Sequence, residues 1–195
     1  MKKRKLPKEK YFGKLESVFS FYGAMPTGVT ISEEGRIFVN FPKWGDDVKF
    51  TVAEIVDNKL VPYPDLKTNK VDYDNLLRCF ISVQSVVADG CGTLWVLDTA
   101  APNFSQSIDG GSKLIAVDLN TNKLRRISPD GEMDTIVHSP HLLWPDTFTI
   151  GCDKYLYVIV NQLHRQARYH YGKDIREKPY SLFRIFINEL PSPTK

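Results

Sequence analysis

The sequence has few cysteines and no long apolar run. Cys79, Cys91 and Cys152 are the only thiols among its 195 residues. Their number is odd and none form a CxxC pair, so neither a disulfide framework nor a zinc site is indicated. Reduced thiols in a cytoplasm fit this usage, and a Cys79–Cys91 bridge is the alternative if the protein is exported. No stretch approaches the ~18 consecutive apolar residues of a membrane-spanning helix. The basic start (Lys2, Lys3, Arg4, Lys5, Lys8, Lys10) runs into polar residues, which argues against a secretory signal peptide and reads as a solvated tail. Charge of one sign is also lacking: 26 Lys plus Arg stand against 23 Asp plus Glu, so neither nucleic acid nor an acidic membrane is expected as a partner. Nucleophile elbow, phosphate loop, HExxH and zinc spacings are absent, and Ser85 has no glycine frame around it. Helix signals are sparse. Residues 73–78 suggest one short turn, and the polar stretch 163–178, with its Arg, His and Tyr, reads as a long functional loop.

What the chain does contain is a repeat. Thr27-Gly28-Val29-Thr30-Ile31 leads through a polar turn to Ile37-Phe38-Val39. Gln84-Ser85-Val86-Val87-Ala88 leads to Leu94-Trp95-Val96, and Asp146-Thr147-Phe148-Thr149-Ile150 to Leu156-Tyr157-Val158. The interval from the leading polar residue to the apolar trio is ten residues each time. Each unit reads as a β-hairpin: an alternating strand, a turn of residues that tolerate positive φ, and a return strand centred on an aromatic. One such hairpin cannot bury both of its faces, whereas several stacked around an axis can. Outer strands are predicted at 50–55 and 60–63 around an Asp57-Asn58-Lys59 turn, at 113–119, as a hairpin at 127–133 and 135–137, and at 181–187. The expected fold is therefore all-β, with four-stranded propeller blades. Trp95 and Tyr157, at the centres of return strands, are expected to pack between blades.

Several motifs resemble the major royal jelly protein/Yellow family. They are Phe41-Pro42-Lys43-Trp44, Ile81-Ser82-Val83-Gln84-Ser85 running into Leu94-Trp95-Val96-Leu97-Asp98-Thr99, the 113–119 strand, and Leu143-Trp144-Pro145-Asp146 through Asn161-Gln162-Leu163-His164. The resemblance extends over about residues 13–187 and implies a six-bladed β-propeller. The polar start is similar to a bacterial-type, cytoplasmic member, whereas insect members are secreted, so an extracellular location is the alternative. Six blades of ~40–45 residues need roughly 250 residues, and only three blade cores are recognisable. The first two look like opening blades and the third like the last, with the join near Leu124-Arg125-Arg126-Ile127. The expected division is a basic tail at 1–12, two blades at 13–126, the final blade at 127–190 and a C-terminal tail at 191–195. The central blades are expected to be missing. Such a chain would expose two apolar blade faces and self-associate through them, two copies closing one ring; the alternative is a degenerate product with little stable structure.

In a propeller the start of each innermost strand lies at one mouth of the central channel. Thr27, Gln84 and Asp146 hold that position in the repeat and are expected to converge there. By resemblance to gluconolactonase-type propellers, Asp146 stands where they carry a metal-binding Asp, which would imply a divalent cation such as Ca2+; Thr27 stands where they place a Glu. A strand-capping role is the other reading of Asp146. Gln84 offers a donor and an acceptor to a polar ligand or to a neighbouring blade. Asn161 follows the third return strand, and His164 beyond it can act as acid or base near neutral pH. Trp44 suits the wall of a ligand pocket or plain packing, and Asp98 a backbone turn. The functional expectation is a propeller that binds a small organic molecule in its channel, or an inactive remnant. The enzymatic alternatives implied by resemblance are a metal-dependent lactonase and a dopachrome-type tautomerase.

Overall fold

The computed structural model describes residues 13–76, 79–88, 94–109, 123–127 and 133–191. The described regular structure consists of short antiparallel strands and 3-10 turns. Strands β1 (Leu15–Phe21), β2 (Gly28–Ile31), β3 (Ile37–Asn40), β4 (Val52–Val56) and β5 (Lys59–Pro62) occupy the first third of the chain. Then come β6 (Val83–Ala88), β7 (Leu94–Asp98), β8 (Lys123–Ile127), β9 (Met133–His138), β10 (Pro145–Ile150), β11 (Tyr155–Val160) and β12 (Tyr180–Phe186). For β8 and β9 only the backbone and the Val137 side chain are described. The 113–119 strand expected from the sequence lies outside the described residues.

The three repeated hairpins form as expected: β2 pairs with β3, β6 with β7 and β10 with β11, all antiparallel. The β4–β5 hairpin turns at Asp57 and Asn58, both with positive φ (48° and 56°), a conformation that these short polar side chains tolerate. The hairpin expected at 127–133 and 135–137 is shifted: β8 pairs with β9 from Lys123↔His138 to Ile127↔Met133. The loop at 163–178 contains 3-10 turns at Leu163–Arg165 and Ala167–Tyr169 and no α-helix.

These strands make blades of a β-propeller. One whole blade has the order β2-β3-β4-β5; the other has the order β10-β11-β12-β1, so the N-terminal strand completes the blade built by the C-terminal ones. Residues from 13 onward thus contribute to the final blade as well as to the first. Placing the two ends of the chain in one sheet ties them together through the β1–β12 ladder. The remaining described strands form two pairs, β6-β7 and β8-β9.

Apolar cores lie between the sheets because each strand buries opposite faces with alternate residues. Val29, Val39, Phe41 and Ala53 of the first blade meet Tyr157, Ile159, Tyr180 and Leu182 of the last. On its other side the first blade turns Phe38 and Val52 to Val83 and Val86 of the β6–β7 pair. The far side of the last blade (Leu156, Val158, Val160, Ile185) packs with Val137 of β9. Trp95 departs from expectation. Its repeat equivalents Phe38 and Tyr157 are 2% and 5% exposed, yet Trp95 is 64% exposed. Phe38 and Tyr157 each pack on the neighbouring sheet.

Polar groups stitch the blades together. Thr51 Oγ1 donates to the Phe41 carbonyl (2.8 Å) and accepts from the Val83 N–H (2.9 Å). The buried Asn69 accepts from the N–H groups of Thr51 and Val52 (both 2.9 Å) and donates to the carbonyls of Tyr63 and Asp65. These bonds satisfy backbone groups that burial would otherwise leave unpaired.

Candidate functional site

The innermost strands β10, β2 and β6 lie side by side. The Thr147 hydroxyl of β10 donates to the Thr27 carbonyl at 2.6 Å. The Thr27 hydroxyl donates to the Gln84 carbonyl at 3.1 Å, and further along the Ala88 N–H donates to Thr30 Oγ1 at 2.9 Å. The contacts advance from 27 with 84 to 30 with 88, so β2 and β6 run in the same direction. The leading ends of the three strands therefore share one end of the assembly, and Thr27, Gln84 and Asp146 are brought together there.

Their roles differ. Thr27 is buried, and its hydroxyl also accepts from Asn40 Nδ2 at 2.9 Å; it is an interstrand fastener. Gln84 takes part through its backbone carbonyl. Asp146 sits where β10 is distorted: Trp144 before it has φ 62°, and the β10–β11 register shifts between Pro145 and Phe148. A bulge of this kind re-aims a side chain. Here Asp146 Oδ2 accepts a 2.5 Å hydrogen bond from Asn161 Nδ2, which also donates to the Pro26 carbonyl at 3.0 Å. Asn161 is fully buried and its Oδ1 accepts from the Leu163 N–H, so it is locked in orientation from both ends.

Desolvation drives the Asp146 carboxyl pKa up to about 7, against the opposing effect of the Asn161 hydrogen bond. The residue keeps part of its surface accessible while its carboxyl lies deep among protein atoms. A folded-state pKa above the unfolded value of 3.8 means that the folded chain holds this proton more tightly. Its contribution to stability is present in acid, and is lost as pH rises through the window from about 4 to about 7. Asp146→Asn is expected to flatten that slope and to make the chain more stable than the parent at pH 8. Urea unfolding at pH 5 and pH 8 checks this.

Beside Asp146, the Trp144 ring stacks on His164 (centroids 5.5 Å apart, planes at 21°). Among the described residues, Trp144 Nε1, His164 Nδ1 and His170 Nδ1 are buried atoms that find no hydrogen-bond partner. The His164 pKa is lowered by burial, then by the Arg165 charge and His170, which favours a neutral imidazole. The sequence drew attention to His164; it gave no signal for the Trp144 stack, because that depends on the left-handed turn at 144. Trp44 stands elsewhere, stacked on Phe104 at 4.5 Å. It walls a surface cavity of about 260 Å³ with Gln166, Arg168 and Arg176, and its carbonyl accepts from Gln166 Nε2. Asp98 accepts from the N–H groups of Ile81, Ser82 and Ala100, as a turn residue should. Cys79 is buried, Cys152 exposed, and Cys91 outside the described residues.

The donors around Asp146 do not suit a divalent cation. Such an ion takes several oxygen ligands, and among the described residues no three His, Cys, Asp or Glu side chains gather at one point. The carbonyls of Pro26, Thr27 and Gln84 already accept side-chain hydrogen bonds.

The sequence profile described as major royal jelly protein matches residues 81–130, which include β6, β7 and β8. Protein yellow of Drosophila melanogaster is 32% identical over 83 residues, covering 39% of this chain and 15% of that protein. Protein yellow of Drosophila guanche is 36% identical over 84 residues, covering 39% and 14%. Over these stretches the chain is similar to the major royal jelly protein/Yellow family. It aligns with only about one seventh of the length of these Yellow proteins. Among solved structures, a virginiamycin B lyase from Staphylococcus aureus has 17% identity and a TM-score of 0.31, covering 78% of this chain and 55% of that one. A streptogramin B lyase has 14% identity and a TM-score of 0.32, covering 81% and 56%. Values this low transfer nothing from those proteins to this chain. Among the described residues no helix is long and apolar enough to cross a membrane.

Proposed function

We propose that this chain binds a small organic molecule at the shared end of its innermost strands, with Asp146 as the principal polar contact and Asn161 holding it in place. The observation that carries the reading is the Asp146–Asn161 pair, set by a bulge at the point where β10, β2 and β6 come together. A carboxyl that keeps its proton near neutral pH donates a hydrogen bond to a ligand carbonyl or quinone oxygen, and accepts one once ionised. The Trp144–His164 stack supplies an aromatic surface next to it, and Gln84 adjoins Thr27 on the neighbouring strand. Thr27 shapes the site through its backbone and hydroxyl bonds. Trp44 belongs to a separate cavity and is assigned a second, weaker contact surface.

Calorimetric titration with dopachrome-type quinones and with sugar lactones tests this. Binding of at least one class is expected, weakened about tenfold or more by Asp146→Ala, in line with loss of a charge-assisted hydrogen bond, and unchanged by EDTA. No binding by either class, or binding indifferent to Asp146, would overturn the reading. An EDTA-sensitive lactone turnover would instead favour the metal-dependent lactonase.

A second reading has its own support. Tautomerisation needs one group to take a proton from carbon and to return it elsewhere on the substrate, and a carboxyl with a pKa of about 7 is matched to both steps. Loss of dopachrome absorbance faster than with heat-killed protein, with a pH profile that turns near 7 and is absent in Asp146→Asn, would establish it.

A further inference from the structure

We propose that the cavity walled by Trp44, Phe104 and Gln166 is a second binding site, which takes a small planar aromatic acid. The carboxylate of this ligand pairs with Arg168, and a ring hydroxyl or N–H donates to Gln166 Oε1. The site stands apart from the Asp146 reading, because neither Asp146 nor Asn161 lines this cavity.

The cavity is built from three equivalent connections. Segments 41–51, 99–109 and 161–179 each follow the return strand of one repeated hairpin, β3, β7 and β11. They are fastened to one another. The Asn103 N–H donates to the Lys43 carbonyl at 2.7 Å, Gln166 Nε2 donates to the Trp44 carbonyl, and Arg176 pairs with Asp46 at 2.9 Å. The space they leave is about 260 Å³. Sites for drug-sized ligands begin at about 300 Å³, so a molecule of one or two rings fits.

The polar end of the cavity is Gln166, which is 6% exposed. The orientation of its amide is fixed, because the Trp44 carbonyl can only accept and the nitrogen must therefore face it. Oε1 is then the atom left over, buried and with no hydrogen-bond partner among the described residues. A buried acceptor without a partner is costly, and a donor brought in by a ligand relieves that cost. Gly45 keeps the space beside this amide clear. It has φ 108°, and a Cβ there would stand 3.1 Å from Gln166 Nε2.

The other walls are aromatic and cationic. Trp44 stacks on Phe104 at 4.5 Å, and the Arg168 guanidinium lies 4.7 Å from the centroid of the same Phe104 ring. Phe104 is held at φ 55°, which a bulky residue rarely adopts. The two arginines of the cavity are not equivalent. Arg176 is committed to Asp46 and Asp174. Arg168 is exposed and forms no ion pair among the described residues. A guanidinium stacked on a ring still offers its in-plane N–H groups to a carboxylate. Flat rings, one uncommitted cation and one unpaired acceptor together select a planar acid that carries a donor.

Calorimetric titration of the full chain with para-hydroxybenzoate and with indole carboxylate tests this. At least one should bind, and Arg168→Gln should weaken it about tenfold or more, as for loss of a charged hydrogen-bonded pair. On the parent chain, para-methoxybenzoate, which lacks the donor, and para-cresol, which lacks the charge, should each bind more weakly than para-hydroxybenzoate by a similar factor. Arg168 is exposed, and circular dichroism of the variant shows that its β-structure is kept. Asp146→Ala should leave the affinity for these acids unchanged, so that the failure of either site leaves the other standing. No binding of either acid at millimolar concentration overturns the proposal. So does binding that Arg168→Gln does not weaken, binding that is indifferent to loss of the donor, or binding that Asp146→Ala weakens as much, which would put the acid at the innermost strands.

Discussion

Replacing Gly28 by alanine is expected to destabilise the chain by about 3–5 kcal/mol, enough to leave it largely unfolded at moderate urea. A Cβ at this position would stand 2.0 Å from Asn40 Oδ1 and 3.5 Å from the Ser85 backbone. Asn40 has no room to retreat: it is fully buried, and its Nδ2 donates to Thr27 Oγ1 and to the Val83 carbonyl, both at 2.9 Å. Either the side chain swings away and abandons two buried hydrogen bonds, or β2 and β6 separate. Overpacking costs about 1–3 kcal/mol, and each buried partner left unsatisfied adds about 1–3. Gly23, where a Cβ meets nothing within 4 Å, is the control: Gly23→Ala should leave the urea midpoint nearly unchanged.

The second large effect concerns Arg176. Its guanidinium, 7% exposed, donates to Asp46 at 2.9 and 3.2 Å and to Asp174 at 2.6 Å. Asp46 in turn accepts from the Met25 N–H at 2.9 Å. This network fastens the long loop before β12 to the segments that precede β2 and follow β3. Burial works against the Arg176 charge, but the hydrogen bonds of Asp174 and Asp46 outweigh it and its pKa is raised. Arg176→Met keeps much of the volume and removes the cation, leaving Asp46 enclosed without its counter-charge. A loss of about 2–3 kcal/mol is expected, less than a fully buried pair loses because Asp46 is only part-buried. Adding Asp46→Asn should restore part of it, because the uncompensated charge is then gone. Equal losses in the single and double variants would show that packing, not charge, is at stake.

The repeat was legible because its physics is local. Alternation sets the faces of β2, β6 and β10, and Asp57-Asn58 marks a turn whatever surrounds it. The ten-residue interval also carried the alignment of Thr27, Gln84 and Asp146, since equivalent positions on repeated hairpins fall at the same end of neighbouring strands. Partnership between distant segments was not legible. Nothing in Leu15–Phe21 says that it will pair with Tyr180–Phe186, and nothing in Leu94-Trp95-Val96 says that its tryptophan will be largely exposed while Phe38 and Tyr157 are buried. The site divides in the same way. Asp146 and Asn161 stood out by type and position, but the bond between them depends on a bulge that shifts register by a single step. Asn40, the buried hub that Gly28 makes room for, gave no sign because an asparagine at the end of a strand usually serves a turn.

The carboxyl of Asp146 itself offers the sharpest test, through carbon-detected NMR of aspartate-labelled chain, with Asp146→Asn to assign the resonance. If the three innermost strands enclose this group as described, it titrates with a midpoint of about 7. A midpoint near 3.8, the value of a carboxyl in water, would mean that solvent reaches it freely and that β10, β2 and β6 do not come together around it.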